Sequence, residues 1–159
     1  MFRGSEVHQP DSPPGCRLLR TRTVCQRSGR NAGDLQRYLA EALWFPHALQ
    51  RREVTWEAID DHSARATLSD RGTVVSLVFE FAADHTVTRV WTPARAREVN
   101  GTFVPTPWEV SCRDWALRHG TLVPTYCEVS WRLDSGLFTY WKGRIDQRQS
   151  TRPVAHPPS

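Results

Sequence analysis

The sequence predicts an α+β fold: a curled antiparallel β-meander of about six to seven strands with one helix packed on it. Three observations carry this expectation. A single segment near residue 35 has helical apolar spacing. From Val54 onward the chain falls into short alternating runs separated by turn residues. Finally, WEVSC at 108–112 and CEVSW at 127–131 are nearly the same string read in opposite directions about His119-Gly120.

The helix comes first. In AGDLQRYLAEALWFP, Leu35, Tyr38, Leu39, Ala42 and Leu43 recur at helical spacing and place a helix over 34–45. Asn31 or Asp34 is the expected cap, and Pro46 the expected stop. Three turns with one apolar stripe have to lie on another surface.

The strands follow. VTWEAI at 54–59 reads as a strand turning through Asp60-Asp61-His62. In a two-residue hairpin, paired positions have a constant sum. A turn at Arg71-Gly72 pairs Leu68 with Val75, Ala66 with Leu77 and Ala64 with Phe79, all apolar and all on one face. A turn at Asp84-His85 pairs Phe79 with Val90 on that face and Glu80 with Arg89 on the other. A turn at His119-Gly120 pairs Trp108 with Trp131, Val110 with Val129 and Cys112 with Cys127. Arg113 then faces Tyr126 on the opposite side. After Leu133 a last strand returns through LFTYWKGRID. A two-residue loop would pair Trp131 with Tyr140, and a three-residue loop would pair Val129 with Trp141.

Composition bounds the function classes. A chain of 159 residues is long enough for one domain with a core. No apolar run reaches the roughly 18 residues of a membrane span, and MFRGSEVHQPDSPPG lacks a secretory h-region. The default expectation is cytoplasmic, with reduced cysteines. The net charge of +4 lies wholly in residues 1–33, where six arginines face Glu6 and Asp11; the rest balances at 15 basic and 15 acidic. A specific nucleic-acid face is therefore not expected. The domain expectation is an Arg/Pro-rich disordered tail over 1–33, the sheet-plus-helix domain over 34–148, and a second tail over 149–159.

No phosphate loop, nucleophile elbow or H-E-x-x-H motif occurs. The facing cysteines read as small core residues; a disulfide and half a zinc site are the other readings. His119 cannot serve Cys112 as a base, because seven strand residues span about 23 Å. His62 after Asp60-Asp61 reads as a turn. No metal and no cofactor is expected, and no catalytic residue is assigned. Arg37 and Glu41, one helical turn apart, read as a surface pair or as a pair aimed at a ligand. Seven tryptophans are many for this length. On a curled sheet the inward ones would line an apolar cavity; otherwise they are core under the helix, which a single helix on one sheet favours. The candidate ligand-binding residues are Trp56, Trp108, Trp131, Trp141, Arg37, Glu41 and Arg113.

The runs RYLAEALWFP (37–46), VTWEAID (54–60), PTPWE (105–109), VPTYCEVSW (123–131) and FTYWKGRI (138–145) together resemble an uncharacterised bacterial domain-of-unknown-function family over roughly 33–148. The resemblance implies no activity and no catalytic residues. It looks like the C-terminal half of such a protein, with Cys112 and Cys127 as departures. The implied architecture is similar to half-barrels of the lipoprotein-carrier type, which bind acyl chains on a concave face.

The functional expectation is non-enzymatic binding of an apolar or lipid-like ligand, or of a partner, on the concave sheet face. The alternatives are an enzyme on a small or lipidic substrate, using groups such as Arg113, Asp114, Glu128, Tyr140 and Arg144, or a truncated fragment without its own activity. An open strand at Val54–Ile59 or Phe138–Asp146 would invite self-association.

Overall fold

The computed structural model describes residues 32–145. The remainder of both expected tails, and the Asn31 cap, lie outside the described residues.

Helix α1 runs over 32–41 and tightens into a 3-10 turn at Ala42–Trp44. Pro46 ends it. Phe45, the residue before the proline, leaves helical geometry at φ −134° and ψ 65°, and Pro46 opens a second 3-10 turn, Pro46–Gln50. Leu39, Ala40, Ala42 and Leu43 are buried. Tyr38, expected in the apolar stripe, is half-exposed; Gln36 takes the buried position.

Seven strands follow: β1 (Val54–Asp60), β2 (Ser63–Asp70), β3 (Thr73–Phe81), β4 (Val87–Val99), β5 (Thr102–Arg118), β6 (Thr121–Leu133) and β7 (Gly136–Arg144). They form one antiparallel sheet in sequence order, so every connection is a hairpin. The curled meander with one helix on it is the predicted fold class. The pairings read from the sequence at Arg71-Gly72 and His119-Gly120 are present residue for residue. At Asp84-His85 the expected pairs Phe79–Val90 and Glu80–Arg89 are present, but the register shifts after Glu80, Phe81 faces Val87, and Ala82 bonds to Thr86 around a three-residue loop instead of the expected two-residue turn. At Arg71-Gly72 and His119-Gly120 both turn residues have positive φ, the geometry that matches the twist of the flanking strands.

Irregularities bend the sheet. Registers shift between Thr92 and Arg95 on β4, beside Pro93 and Pro107, neither of which can donate to a ladder. The last hairpin resolves the two loop readings into a mixture. The loop has two residues, with Leu133 opposite Gly136, and Trp131 faces Phe138 rather than Tyr140. The register then shifts on β7, so that Val129 faces Trp141. Tyr140 is the extra residue, and the bulge turns it toward the same side as Trp141.

The inner face carries the core. Leu39 and Leu43 of the helix region share one buried cluster with Leu68, Leu77, Phe79 and Val90 of β2–β4 and with Trp108, Val110, Cys112 and Cys127 of β5–β6. The outer face carries ion pairs across strands. Arg89 donates to both carboxylate oxygens of Glu80, at 2.9 and 2.6 Å, and Arg132 donates to Glu109 at 2.9 Å. Among the described residues β1 and β7 each have one neighbour and are the sheet's edges.

Candidate functional site: an aromatic cleft beside the helix

Between the C-terminal end of α1 and strands β5–β7 lies a half-open cleft of about 1750 Å³. Its floor is Trp108 and Val110 of β5 with Val123 and Val129 of β6. Tyr140 and Trp141 of β7 form one wall, and Ala40, Trp44 and Phe45 form the other. Arg37 and Glu41 stand on the helix side, and Arg118 and His119 lie at the tip of the β5–β6 hairpin.

Local chemistry fixes these side chains. The indole N–H of Trp108 donates to the Tyr140 hydroxyl at 2.9 Å, and the Tyr140 ring stacks on Trp131 at 6.0 Å. Trp44 donates to the Pro124 carbonyl at 3.0 Å, which ties the first 3-10 turn to β6. Pro124 has no N–H of its own. Trp141 lies over Gly143, where a Cβ would fall within its ring. The glycine is what lets the indole lie flat against the strand.

Arg95 lines the cleft from β4. Its guanidinium lies 4.4 Å from the Trp108 ring centroid and 5.8 Å from that of Trp131. It donates to the Gly33 carbonyl at 3.1 Å, while its Nε is buried without an acceptor. Burial holds its pKa below the ordinary arginine value, against smaller upward contributions from Tyr140 and Asp34.

The sequence-derived candidates divide by position. Trp108, Trp141, Arg37 and Glu41 line the cleft. Trp131 borders it through Tyr140 and Arg95. Trp56 lies on the far edge strand β1, edge-on to Phe79 and donating to the Leu49 carbonyl at 3.1 Å. Arg113 lies on the outer face, 3.9 Å from the Tyr126 ring centroid and near Glu128. Arg37 and Glu41 bond at 2.7 Å, which raises the Arg37 pKa chiefly through that hydrogen bond. Among the groups named for an enzymatic reading, Tyr140 faces the cleft; Glu128 lies with Arg113 on the outer face, and Arg144 pairs with Asp114.

A family model matches residues 15–149. The chain belongs to DUF6920, a family of unknown function. No curated protein and no solved structure matches it. The match takes in all the described residues of this DUF6920 domain, cleft included.

Other chemistry is sparse. Cys112 and Cys127 are free thiols with sulfurs 3.2 Å apart, both buried in the core. The facing sulfur and burial push the Cys112 thiol up, the opposite of what a nucleophile needs. Among the described residues no group of three or more His, Cys, Asp or Glu side chains converges as a metal site. Among them no helix is long and apolar enough to cross a membrane.

Sequence reasoning missed Arg95 and Phe45, and it left Trp44 off the candidate list although Trp44 falls on nearly the same helical line as Arg37 and Glu41. For Arg95 a signal existed. Asn100-Gly101 is a strong hairpin dipeptide, and its constant sum puts Arg95 opposite Thr106, two residues from Trp108. Phe45 falls where the helix gives way before Pro46, and helical spacing does not say which way it points.

Proposed function

We propose that this DUF6920 domain binds an apolar, lipid-like ligand in the aromatic cleft on the inner face of its sheet. The observation that carries the reading is the state of the cleft walls: Phe45, Tyr140 and Trp141 remain 60%, 46% and 45% exposed while facing a shared concavity. Large aromatic groups left in water around one hollow favour an apolar occupant. The volume exceeds the few hundred Å³ a small polar metabolite would need. Glu41 is the one carboxylate on the lining among the described residues, and it is engaged with Arg37; His47 and His119 lie at the lining's opposite elements, the second 3-10 turn and the β5–β6 hairpin tip. A fluorescent fatty acid titrated at micromolar concentration is expected to quench or shift tryptophan emission saturably. A linear, non-saturating response would sink the reading.

A second occupant of the edges is supported by β7 itself. Leu137 and Phe138 are half-exposed on an edge strand whose outer backbone groups have no strand partner among the described residues. Pairing of two copies through this strand is expected to show as a concentration-dependent dimer in light scattering, weakened by Phe138→Lys. A monomer at all concentrations would exclude it.

A further inference from the structure

We propose that the ligand of the cleft is a single-chain amphiphile with a carboxylate head, and that Arg95 is the residue that receives that head. The proposal rests on the apolar-ligand reading and adds the chemistry of one end of the ligand.

Arg95 is the cation of the cleft that lacks compensation. Several other arginines meet carboxylates, among them Arg37 with Glu41, Arg89 with Glu80 and Arg132 with Glu109; what sets Arg95 apart is that it is half-buried against aromatic rings without one. Arg95 is drawn out of water onto two indole rings, and among the described residues no carboxylate lies within ion-pair distance of it. Gly33 supplies one carbonyl and the Tyr140 hydroxyl a second polar partner, but the buried Nε has no acceptor. A desolvated guanidinium with unused donors is costly unless an anion completes it. Arg118 also lines the cleft, but it sits at the hairpin tip beside exposed His119 and Gly120, where water already solvates it.

The contact with Trp108 also restricts where the guanidinium can lie, and its planar fork suits a carboxylate. The donor left without an acceptor, the buried Nε, is matched by one carboxylate oxygen. From Arg95, the apolar floor of Trp108, Val110 and Val129 leads toward Trp141, the path left for a chain.

The test uses the full chain with dodecanoate and dodecanol as probes, below their aggregation limits, by isothermal titration at neutral pH. Dodecanoate is expected to bind about tenfold to a hundredfold tighter than dodecanol, the range for hydrogen bonds to a charged group. Arg95→Gln is expected to remove that preference, dodecanoate losing at least about tenfold more affinity than dodecanol; near-ultraviolet dichroism like that of the wild type shows that the variant is folded. Equal binding of both probes by the wild-type chain overturns the role of Arg95 and leaves the apolar reading standing. Binding of neither overturns both. A loss of both affinities in Arg95→Gln by the same factor makes Arg95 structural and overturns the proposal. The wild-type comparison needs no variant, so a failure of Arg95→Gln to fold does not shield the proposal.

Discussion

Replacing Tyr140 by Phe removes one oxygen and keeps the ring. That oxygen accepts the indole N–H of Trp108, a residue only 3% exposed, at 2.9 Å. The stacking on Trp131 survives in the variant, so the loss is that of the hydroxyl's polar contacts, the Trp108 bond and the interaction with Arg95, and the double variant with Trp108→Phe separates the first from the second. A buried donor stripped of its acceptor costs about 1–3 kcal/mol. The Tyr140 ring is 46% exposed, so water can approach from the cleft and replace part of the bond. The expected destabilisation is therefore near the low end, about 1 kcal/mol, or about 4 °C in Tm for a domain of this size. Trp108→Phe removes the donor instead, at the further cost of lost ring volume. In the double variant neither partner is orphaned, so the two changes should be less than additive by about 0.5–1.5 kcal/mol. Urea unfolding followed by far-ultraviolet circular dichroism measures this without relying on tryptophan emission. Tyr140→Phe within about 0.3 kcal/mol of wild type, together with an additive double variant, would refute the claim that this bond braces the cleft floor.

Three further outcomes follow from the same geometry. Gly143→Ala places a Cβ inside the Trp141 ring, so the indole must swing away; the altered near-ultraviolet dichroism and weaker fatty-acid binding expected would be missing if Trp141 did not lie over Gly143. The Glu80 carboxyl is held below the usual carboxylate range, first by the Arg89 hydrogen bond. Its contribution is therefore present above the unfolded-state pKa and lost as pH falls through the lower folded one. Glu80→Gln should cost about 1 kcal/mol or less at pH 7, fading below about pH 4, and a pH-independent difference would contradict this. Cys112 should resist iodoacetamide at pH 8 until denaturant is added, as read by peptide mapping; rapid native alkylation would show that the thiol pair is not buried core.

The registers were legible because each hairpin tests itself. At Arg71-Gly72 six apolar residues fall on one face only if the sum is right, and a one-residue slip would scatter them. The same arithmetic already placed Arg113 with Tyr126 on the face away from the cysteines, which is where the structure puts it. The bulge at Tyr140 was not legible. Nothing in LFTYWKG distinguishes a two-residue from a three-residue loop, because aromatic residues stand at 138, 140 and 141 and satisfy either alternation. Trp56 shows another limit. Alternation assigns a side chain to a face but not to a place along that face, and Trp56 is inward on a strand at the opposite edge from the cleft.

The position of the cleft follows from a mismatch of lengths. A helix over 32–41 is about 15 Å long, whereas seven strands at about 4.8 Å spacing make a sheet about 29 Å wide. One short helix cannot cover such a face, and Pro46 prevents it from extending. The inward residues of β2–β4 are mostly small or aliphatic, Phe79 and Phe81 excepted, and they pack in or against the cluster that holds Leu39 and Leu43. On β7 the inward residues are aromatic and half-exposed. The change in residue size across the sheet thus accompanies the change in cover. Small side chains lie where the helix supplies the second layer. Broad aromatic ones, braced through Tyr140 and laid flat over Gly143, stand where that layer is missing. An uncovered core edge made of aliphatic residues would collapse or aggregate. Rings held by hydrogen bonds and stacking keep the hollow open, and with it the arginine that lies against two of its indoles without a carboxylate partner among the described residues.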